Sequence, residues 1–168
     1  MVTALTLLIA STVSGALAAP APDFFGKMVG HWTATGSRHQ SLSGRETRIE
    51  MDTQTSVQNE TLVSENIVKE VDVASGRVRL YGTAFWMRAQ DSTVVYLGSG
   101  TDAEATPPSS SGKFENGTLT VTQDFGGDYV IRSESEFTAD PTLTHYREFT
   151  YHGEILLSET ALEYRKVD

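Results

Sequence analysis

Hydrophobic and polar residues alternate with a period of two over most of the chain after Val29. In the stretch RIEMDTQTSV, residues 48–57, one face would carry Ile49, Met51, Thr53, Thr55 and Val57. The other face would carry charged and amide side chains. The stretch DYVIRSESEF, residues 128–137, repeats the pattern, with one face made of Tyr129, Ile131, Ser133, Ser135 and Phe137. Such alternation is typical of half-buried β-strands, and almost no segment shows the 3.6-residue period of a helix.

Turn-forming pairs interrupt the alternating runs at intervals of roughly ten residues. They are Ser43-Gly44, Ser75-Gly76, Asn116-Gly117, Gly126-Gly127, Asp140-Pro141 and His152-Gly153. Asn116-Gly117 is the most specific pair, because a type I′ hairpin turn needs positive φ at both central residues. The runs between the turns predict about ten strands. They lie near residues 29–38, 45–57, 60–72, 77–88, 92–98, 112–115, 118–124, 128–138, 143–151 and 154–167.

Short strands joined by tight turns, with no helical crossover, predict an all-β fold in which each strand pairs with the next. Such a sheet closes most easily into an up-and-down antiparallel barrel, because closure removes its two exposed edges. We therefore expect a closed barrel of about 8–10 strands, preceded by a short N-terminal plug helix near residues 22–28. Residues 99–112, SGTDAEATPPSSSG, predict a flexible loop at one end of the barrel.

The segment FFGKMVGHWTATG, residues 24–36, places an apolar plug directly before the Gly-His-Trp of residues 30–32. A plug followed by Gly-x-Trp at the start of the first strand resembles the calycin superfamily, which contains the lipocalins, the fatty-acid-binding proteins and many lipocalin-like bacterial domains of unknown function. In those families the tryptophan lies at the closed end of the barrel, and an arginine of the last strand packs across its ring. The resemblance implies structural roles for Gly30 and Trp32, and for Arg165 in the run ALEYRKV. The Arg-x-Tyr carboxylate clamp of fatty-acid-binding proteins has no counterpart in this last strand.

The N-terminal segment MVTALTLLIASTVSGALAAP contains no charged side chain and ends in small residues. Ala16-Leu17-Ala18 fits the A-x-A pattern of a signal-peptide cleavage site. The apolar run is short and interrupted by Thr, Ser and Gly, whereas a membrane span needs about 20 mostly apolar residues. We therefore predict a signal peptide, residues 1–18, and a lipocalin-like barrel domain, residues 19–168. The protein would be secreted or periplasmic, without stable membrane insertion after cleavage.

The composition disfavours several classes of function. The 168 residues include 22 acidic and 13 basic ones, a net charge of -9, which disfavours binding to the phosphate backbone of nucleic acids. The chain has no cysteine, so packing must stabilise the fold without disulfides. The four histidines lack metal-site spacings, and neither a Gly-x-Ser-x-Gly motif nor a phosphate-binding glycine loop occurs. No metal, cofactor or catalytic residue is predicted.

The best candidate for ligand contact is the stretch LTHYREFTYHG, residues 143–153. If Leu143, Phe149 and Tyr151 face the barrel interior, the period of two also turns His145 and Arg147 inward. An arginine inside a barrel needs an anionic partner, because its charge is always present and is costly to bury. This register predicts His145, Arg147 and Tyr151 as ligand-binding residues.

The opposite register of the same strand remains open. It turns Tyr146 and Glu148 inward and leaves Arg147 in water. The choice between the two registers decides whether this strand brings a positive charge into the barrel.

A barrel of about eight to ten strands can enclose one small ligand. The sequence therefore favours a protein that binds a small, hydrophobic or amphipathic molecule in the barrel cavity. One alternative is an enzyme of the isomerase or cyclase type that uses an interior His, Tyr or acid. Another is a non-catalytic interaction or inhibitor protein that uses its loops, above all residues 99–112. The fold by itself does not decide among them.

Overall fold

The structure, a computed structural model, describes residues 22–167. These residues form one short helix followed by ten strands. The elements are α1 (Asp23–Met28), β1 (Gly30–Gln40), β2 (Glu46–Gln58), β3 (Thr61–Asp72), β4 (Val78–Ala89), β5 (Val94–Ser99), β6 (Ser110–Glu115), β7 (Thr118–Asp124), β8 (Tyr129–Phe137), β9 (Leu143–His152) and β10 (Ile155–Val167). The predicted plug helix and strands are present at nearly the predicted positions. The predicted signal peptide, residues 1–18, lies outside the described residues.

The ten strands form one closed antiparallel barrel. Each strand pairs with its neighbours along the chain, and β1 pairs with β10 from His31 opposite Val167 to Gln40 opposite Ser158. This pairing joins the two edges that an open sheet of the same strands would expose. The predicted fold class, an all-β up-and-down barrel with an N-terminal plug helix, is therefore confirmed.

Local turn chemistry fixes the register of the hairpins. Asn116 and Gly117, which join β6 to β7, have φ of 51° and 80°, as the type I′ turn predicted for them requires. Asn59 and Glu60 join β2 to β3 with φ of 48° and 64°. Positive φ is uncommon for a glutamate, and the long β2–β3 pairing on both sides holds the residue there.

Helix α1 closes one end of the barrel, which we call the closed end. Phe24 and Phe25 are almost fully buried, and the Phe24 ring stacks on Phe114 with 4.3 Å between centroids. The indole Nε1 of Trp32 donates a hydrogen bond to the carbonyl oxygen of Met28 at 2.9 Å, which ties the end of α1 to β1. The buried core around the plug consists of Phe24, Phe25, Leu62, Met87, Val95, Leu119 and Val121.

The inward residues of β1, β2 and β3 form successive rungs from the closed end to the opposite end, which we call the open end. In that order the rungs are Trp32, Thr53 and Asn66; Ala34, Met51 and Val68; Gly36, Ile49 and Glu70; and Arg38, Thr47 and Asp72. The middle rungs contribute Ala34, Ile49 and Val68 to a second apolar cluster, which Leu162 of β10 completes. This cluster separates the first rung from the charged residues of the open end.

Candidate functional site

A cavity of about 250 Å³ lies inside the barrel, between the plug helix and the second apolar cluster. Its fourteen lining residues are Lys27, Met28, Trp32, Met51, Thr53, Thr55, Ser64, Asn66, Phe85, Ser135, Phe137, Thr144, Tyr146 and Tyr164. Seven of them are aromatic or methionine, six are uncharged polar residues, and Lys27 carries the one charge of the lining. A mostly apolar wall with a few polar groups is typical of small-molecule sites.

The polar residues of the lining on β2 and β3 bind one another. Thr53 Oγ1 donates to Asn66 Oδ1 at 2.9 Å, and Asn66 Nδ2 donates to Thr83 Oγ1 at 3.2 Å. The hydroxyls of Thr55 and Ser64 lie 3.0 Å apart. Buried polar groups are stable in a protein interior only when they find such partners. The polar side chains on this side of the cavity therefore already have hydrogen-bond partners within the protein.

Tyr164 offers the cavity a hydrogen-bond donor with a weak partner. Its hydroxyl donates to Met51 Sδ at 3.3 Å, and a thioether sulfur is a weak acceptor. Burial, together with the negative charge of Glu148, raises the pKa of the Tyr164 hydroxyl far above its usual value of 10.0. The hydroxyl thus stays protonated at neutral pH, and an oxygen of a bound molecule would be a better acceptor than the sulfur.

Tyr146 forms the neighbouring wall. Its hydroxyl donates to Glu148 Oε2 at 2.8 Å, and its ring meets Tyr164 edge to face with 6.4 Å between centroids. Burial, and then the charge of Glu148, raise the pKa of Tyr146 well above 10.0. Both tyrosines are therefore neutral donors whose rings supply apolar surface.

The structure places the predicted ligand-binding residues of β9 on the outer face. Tyr146 lines the cavity and pairs with Ser135, another lining residue. Because side chains alternate along a strand, His145 and Arg147 point outward, where both are exposed, and Tyr151 lies half-buried on that same face. The inward orientation on which their ligand-binding role rested is therefore wrong, and the opposite register holds.

Of the three predicted structural residues, Gly30 and Trp32 lie at the closed end. The predicted partner of Trp32, Arg165, is replaced there by the next residue of β10. Gly30 has φ of 130°, and a Cβ there would lie 2.7 Å from Lys166 Cε. Trp32 is paired with Lys166, whose Nζ lies 5.5 Å from the centre of the Trp32 ring. Arg165 is exposed on the outer face and forms an ion pair with Glu163 at 2.7 Å. The expected packing of Arg165 on Trp32 is therefore corrected to Lys166.

The sequence predicted the inward face for some residues that line the cavity and gave no prediction for others. Met51, Thr53 and Thr55 belong to the face that the alternation of residues 48–57 singled out. Asn66 carried a usable signal, because it shares a face of β3 with Leu62 and Val68, and an amide on an inward face needs partners inside the barrel. Tyr164 had no such signal, since its partner Met51 is 113 residues away in the sequence.

Within residues 22–167, no group of three or more His, Asp or Glu side chains is placed to hold a metal ion. No helix in the same range has the length and apolar character needed to cross a membrane.

The sequence matches no family model and no curated protein. Among solved structures, the fold is similar to that of an S-type phycobiliprotein lyase, CPES, from Guillardia theta. The TM-score is 0.63 at 14% sequence identity, and the similarity covers 87% of this chain and 92% of that chain. This protein has a calycin-like barrel fold. At this level of identity, the likeness concerns the fold alone.

Proposed function

We propose that this protein binds a small, largely apolar molecule in the cavity inside its barrel. The observation that carries the proposal is the cavity of about 250 Å³ whose wall is half aromatic or methionine. Apolar side chains that border open space, rather than one another, lose packing contacts that a ligand would restore. A bound molecule would therefore stabilise the barrel as well as occupy it.

The volume of the cavity sets the size of the ligand. An engineered apolar cavity of about 150 Å³ binds benzene, and pockets for drug-sized ligands span about 300–1,000 Å³. The cavity of about 250 Å³ lies between these two cases. The proposed ligand is therefore a compact molecule with a single ring or two fused rings, or an aliphatic chain of similar volume.

Tyr164 adds one polar requirement. Its hydroxyl faces a sulfur acceptor at 3.3 Å, and a carbonyl or ether oxygen would form a stronger hydrogen bond. The proposed ligand therefore carries one oxygen acceptor on an otherwise apolar frame.

The proposed location is outside the cytoplasm, in a secreted or periplasmic space. It rests on the uncharged, apolar residues 1–18 with their Ala-Leu-Ala exit. The proposal includes no cofactor.

The enzyme alternative has less support from the geometry. His145, the histidine it would use, is exposed on the outer face. Tyr146 and Glu148 do form an interior pair at 2.8 Å, but the raised pKa of Tyr146 makes the hydroxyl a poor proton donor at neutral pH. If the protein is instead an interaction or inhibitor protein that uses its loops, the cavity should stay empty in solution. The titration described next distinguishes this alternative from small-molecule binding.

Calorimetric titration with two bicyclic probes tests the proposal. Coumarin has a lactone carbonyl oxygen, whereas naphthalene has a similar shape and no acceptor. We expect both to bind with one-to-one stoichiometry. Tyr164→Phe should weaken coumarin binding by about fivefold, the effect of one hydrogen bond of about 1 kcal/mol, and should leave naphthalene binding unchanged.

Matched variants locate the binding site. Ser135→Leu adds an apolar side chain to the cavity wall and should weaken both probes at least tenfold, about 1.4 kcal/mol. Ser111→Leu makes the same change at an exposed position on β6 and serves as the control. Failure of both probes to bind the folded wild type, or equal weakening by the two variants, would refute the proposal.

A further inference from the structure

Four arginines surround two acidic residues at the open end of the barrel, far from the ligand cavity. Arg38, Arg45, Arg77 and Arg79 form what we call the arginine cluster, and Glu70 and Asp72 lie among them. Together with Gln40 and Thr47 they line a recess of about 400 Å³. The recess shares no lining residue with the cavity between Trp32 and Tyr164.

The two acids lie at the bottom of the recess. The side chains of Glu70 and Asp72 are only 7% and 8% exposed. Glu70 Oε1 accepts hydrogen bonds from Arg38 Nη1 at 3.1 Å and from the Tyr81 hydroxyl at 2.9 Å. Buried carboxylates need partners of this kind, and Glu70 has them.

Asp72 is satisfied in the same way. It accepts hydrogen bonds from the backbone nitrogen of Ser75 at 2.7 Å and from the Ser75 hydroxyl at 2.6 Å. The guanidinium of Arg45 completes its environment through a hydrogen-bonded ion pair. These contacts, with the Ser75 hydroxyl first among them, lower the pKa of Asp72 to about 2. Asp72 is therefore ionised at neutral pH, and Arg45 and Ser75 compensate its negative charge.

The positive charges lie nearer the solvent than the acids do. The side chains of Arg45 and Arg79 are 52% and 70% exposed. Arg79 Nη1 lies 3.6 Å from Glu70 Oε2, beyond good hydrogen-bond distance. Arg77 is exposed, and its guanidinium has no ion pair or hydrogen bond with the other described residues. Most N–H donors of these three guanidinium groups therefore remain available to a ligand.

We propose that this recess is a second binding site, which takes a compact polyanion with phosphate, sulfate or carboxylate groups. Its lining carries four positive and two negative charges, although the whole chain has a net charge of -9. A recess with an excess of positive charge attracts anions, and arginine forks bind such oxyanions in a bidentate manner. Arg45, Arg77 and Arg79 supply the donors, while Arg38 is held by Glu70 and by Thr160 Oγ1 at 3.1 Å.

The site is independent of the proposed ligand cavity. Arg38 is six residues beyond Trp32 on β1, about 20 Å along an extended strand. The apolar cluster of Ala34, Ile49, Val68 and Leu162 lies between the two sites. Failure of one proposal therefore leaves the other standing, and each has its own probe.

Titration of the whole protein with inorganic pyrophosphate, monitored by calorimetry and amide NMR shifts, tests the proposal. We expect saturable binding that weakens as salt concentration rises, with shifts at the open ends of β1 to β4. Arg77→Gln should weaken pyrophosphate at least fivefold without a change in melting temperature, since Arg77 pairs with no described side chain. Arg79→Gln should also weaken it, and neither variant should alter naphthalene binding.

Arg147→Gln is the matched control, because it removes the same charge from an exposed outer position on β9. It should change pyrophosphate affinity less than twofold. Absence of saturable binding to the folded wild type would overturn the proposal. An equal loss in Arg147→Gln and Arg77→Gln would overturn it as well, since binding would then follow net charge and not the recess.

Discussion

The ammonium nitrogen of Lys166 lies 5.5 Å from the centre of the Trp32 ring, at the point where the first and last strands close the barrel. Trp32 is buried beneath it and bonded to the plug helix through Met28. The pair therefore links both ends of the described chain at the closed end.

Trp32→Ala should lower the free energy of unfolding by about 3–5 kcal/mol, as large aromatic core truncations do. Lys166→Ala should lower it by about 0.5–1 kcal/mol, because the lysine is exposed and its cation–π contact is only partly desolvated. A double-mutant cycle measured by urea unfolding should show coupling between the two residues. Arg165→Ala is the control, with a change of at most about 0.5 kcal/mol and no coupling to Trp32. Coupling of Trp32 to Arg165 instead of Lys166 would contradict the assignment.

Acid should weaken the open end through Asp72. Its folded-state pKa of about 2 lies below the unfolded value of 3.8, so its stabilising effect is complete above pH 3.8 and is lost as pH falls towards 2. We expect the stability difference between wild type and Asp72→Asn to shrink over that window. Ser75→Ala removes the largest cause of the shift and should raise the Asp72 pKa, as measured by carboxyl-carbon NMR. An Asp72 pKa near 3.8 in the wild type would contradict the hydrogen-bonded geometry.

Base should weaken the barrel through its buried tyrosines. Burial raises the pKa values of Tyr81, Tyr146 and Tyr164 in the folded state. Their stabilising effect is complete below pH 10 and is lost above it, because the unfolded chain then releases protons that the folded barrel retains. Ultraviolet absorbance titration should show these three ionising only above pH 10 while the circular dichroism stays native. Tyr146→Phe and Tyr164→Phe should each remove one late-ionising group. Full ionisation near pH 10 in the folded protein would show that these hydroxyls are solvated.

Gly98 on β5 is required by the ring of Trp86, which packs against it across the β4–β5 pair. A Cβ at position 98 would overlap the fully buried indole, so Gly98→Ala should lower the free energy of unfolding by about 1–3 kcal/mol, as overpacking does. Gly82→Ala on β4 is the matched control, because a Cβ there meets its nearest atom at an ordinary 3.7 Å. It should leave stability unchanged or raise it slightly. Equal effects of the two substitutions in thermal unfolding would contradict this account.

The fold was predictable because its determinants are local. Alternation along residues 48–57 and 128–137 and the Asn116-Gly117 turn are visible in short stretches. Each of these local patterns determines one strand or one hairpin. Consecutive hairpins form a meander, in which every strand pairs with the next. Closure then follows from the exposed edges that such a sheet would otherwise keep.

The inward face of β9 was not predictable in the same way. Both of its faces carry large side chains, with Phe149 and Tyr151 on one and Tyr146 on the other, so the alternation alone fits two registers. Contacts from distant strands decide between them, since Tyr146 pairs with Ser135 of β8 and packs on Tyr164 of β10. The same limit explains the one-residue error at the end of β10, where only the pairing with β1 places Lys166, and not Arg165, beside Trp32.

Native mass spectrometry of the protein purified from the organism that makes it, in parallel with Ser135→Leu, tests the central claim most directly. The account predicts that the wild type carries one small, largely apolar molecule, and that the variant with the filled cavity carries none. Ser111→Leu should retain the molecule, because its added side chain points away from the cavity. A wild type that shows only the mass of the bare chain, or a molecule that Ser135→Leu retains equally well, would contradict binding in the barrel.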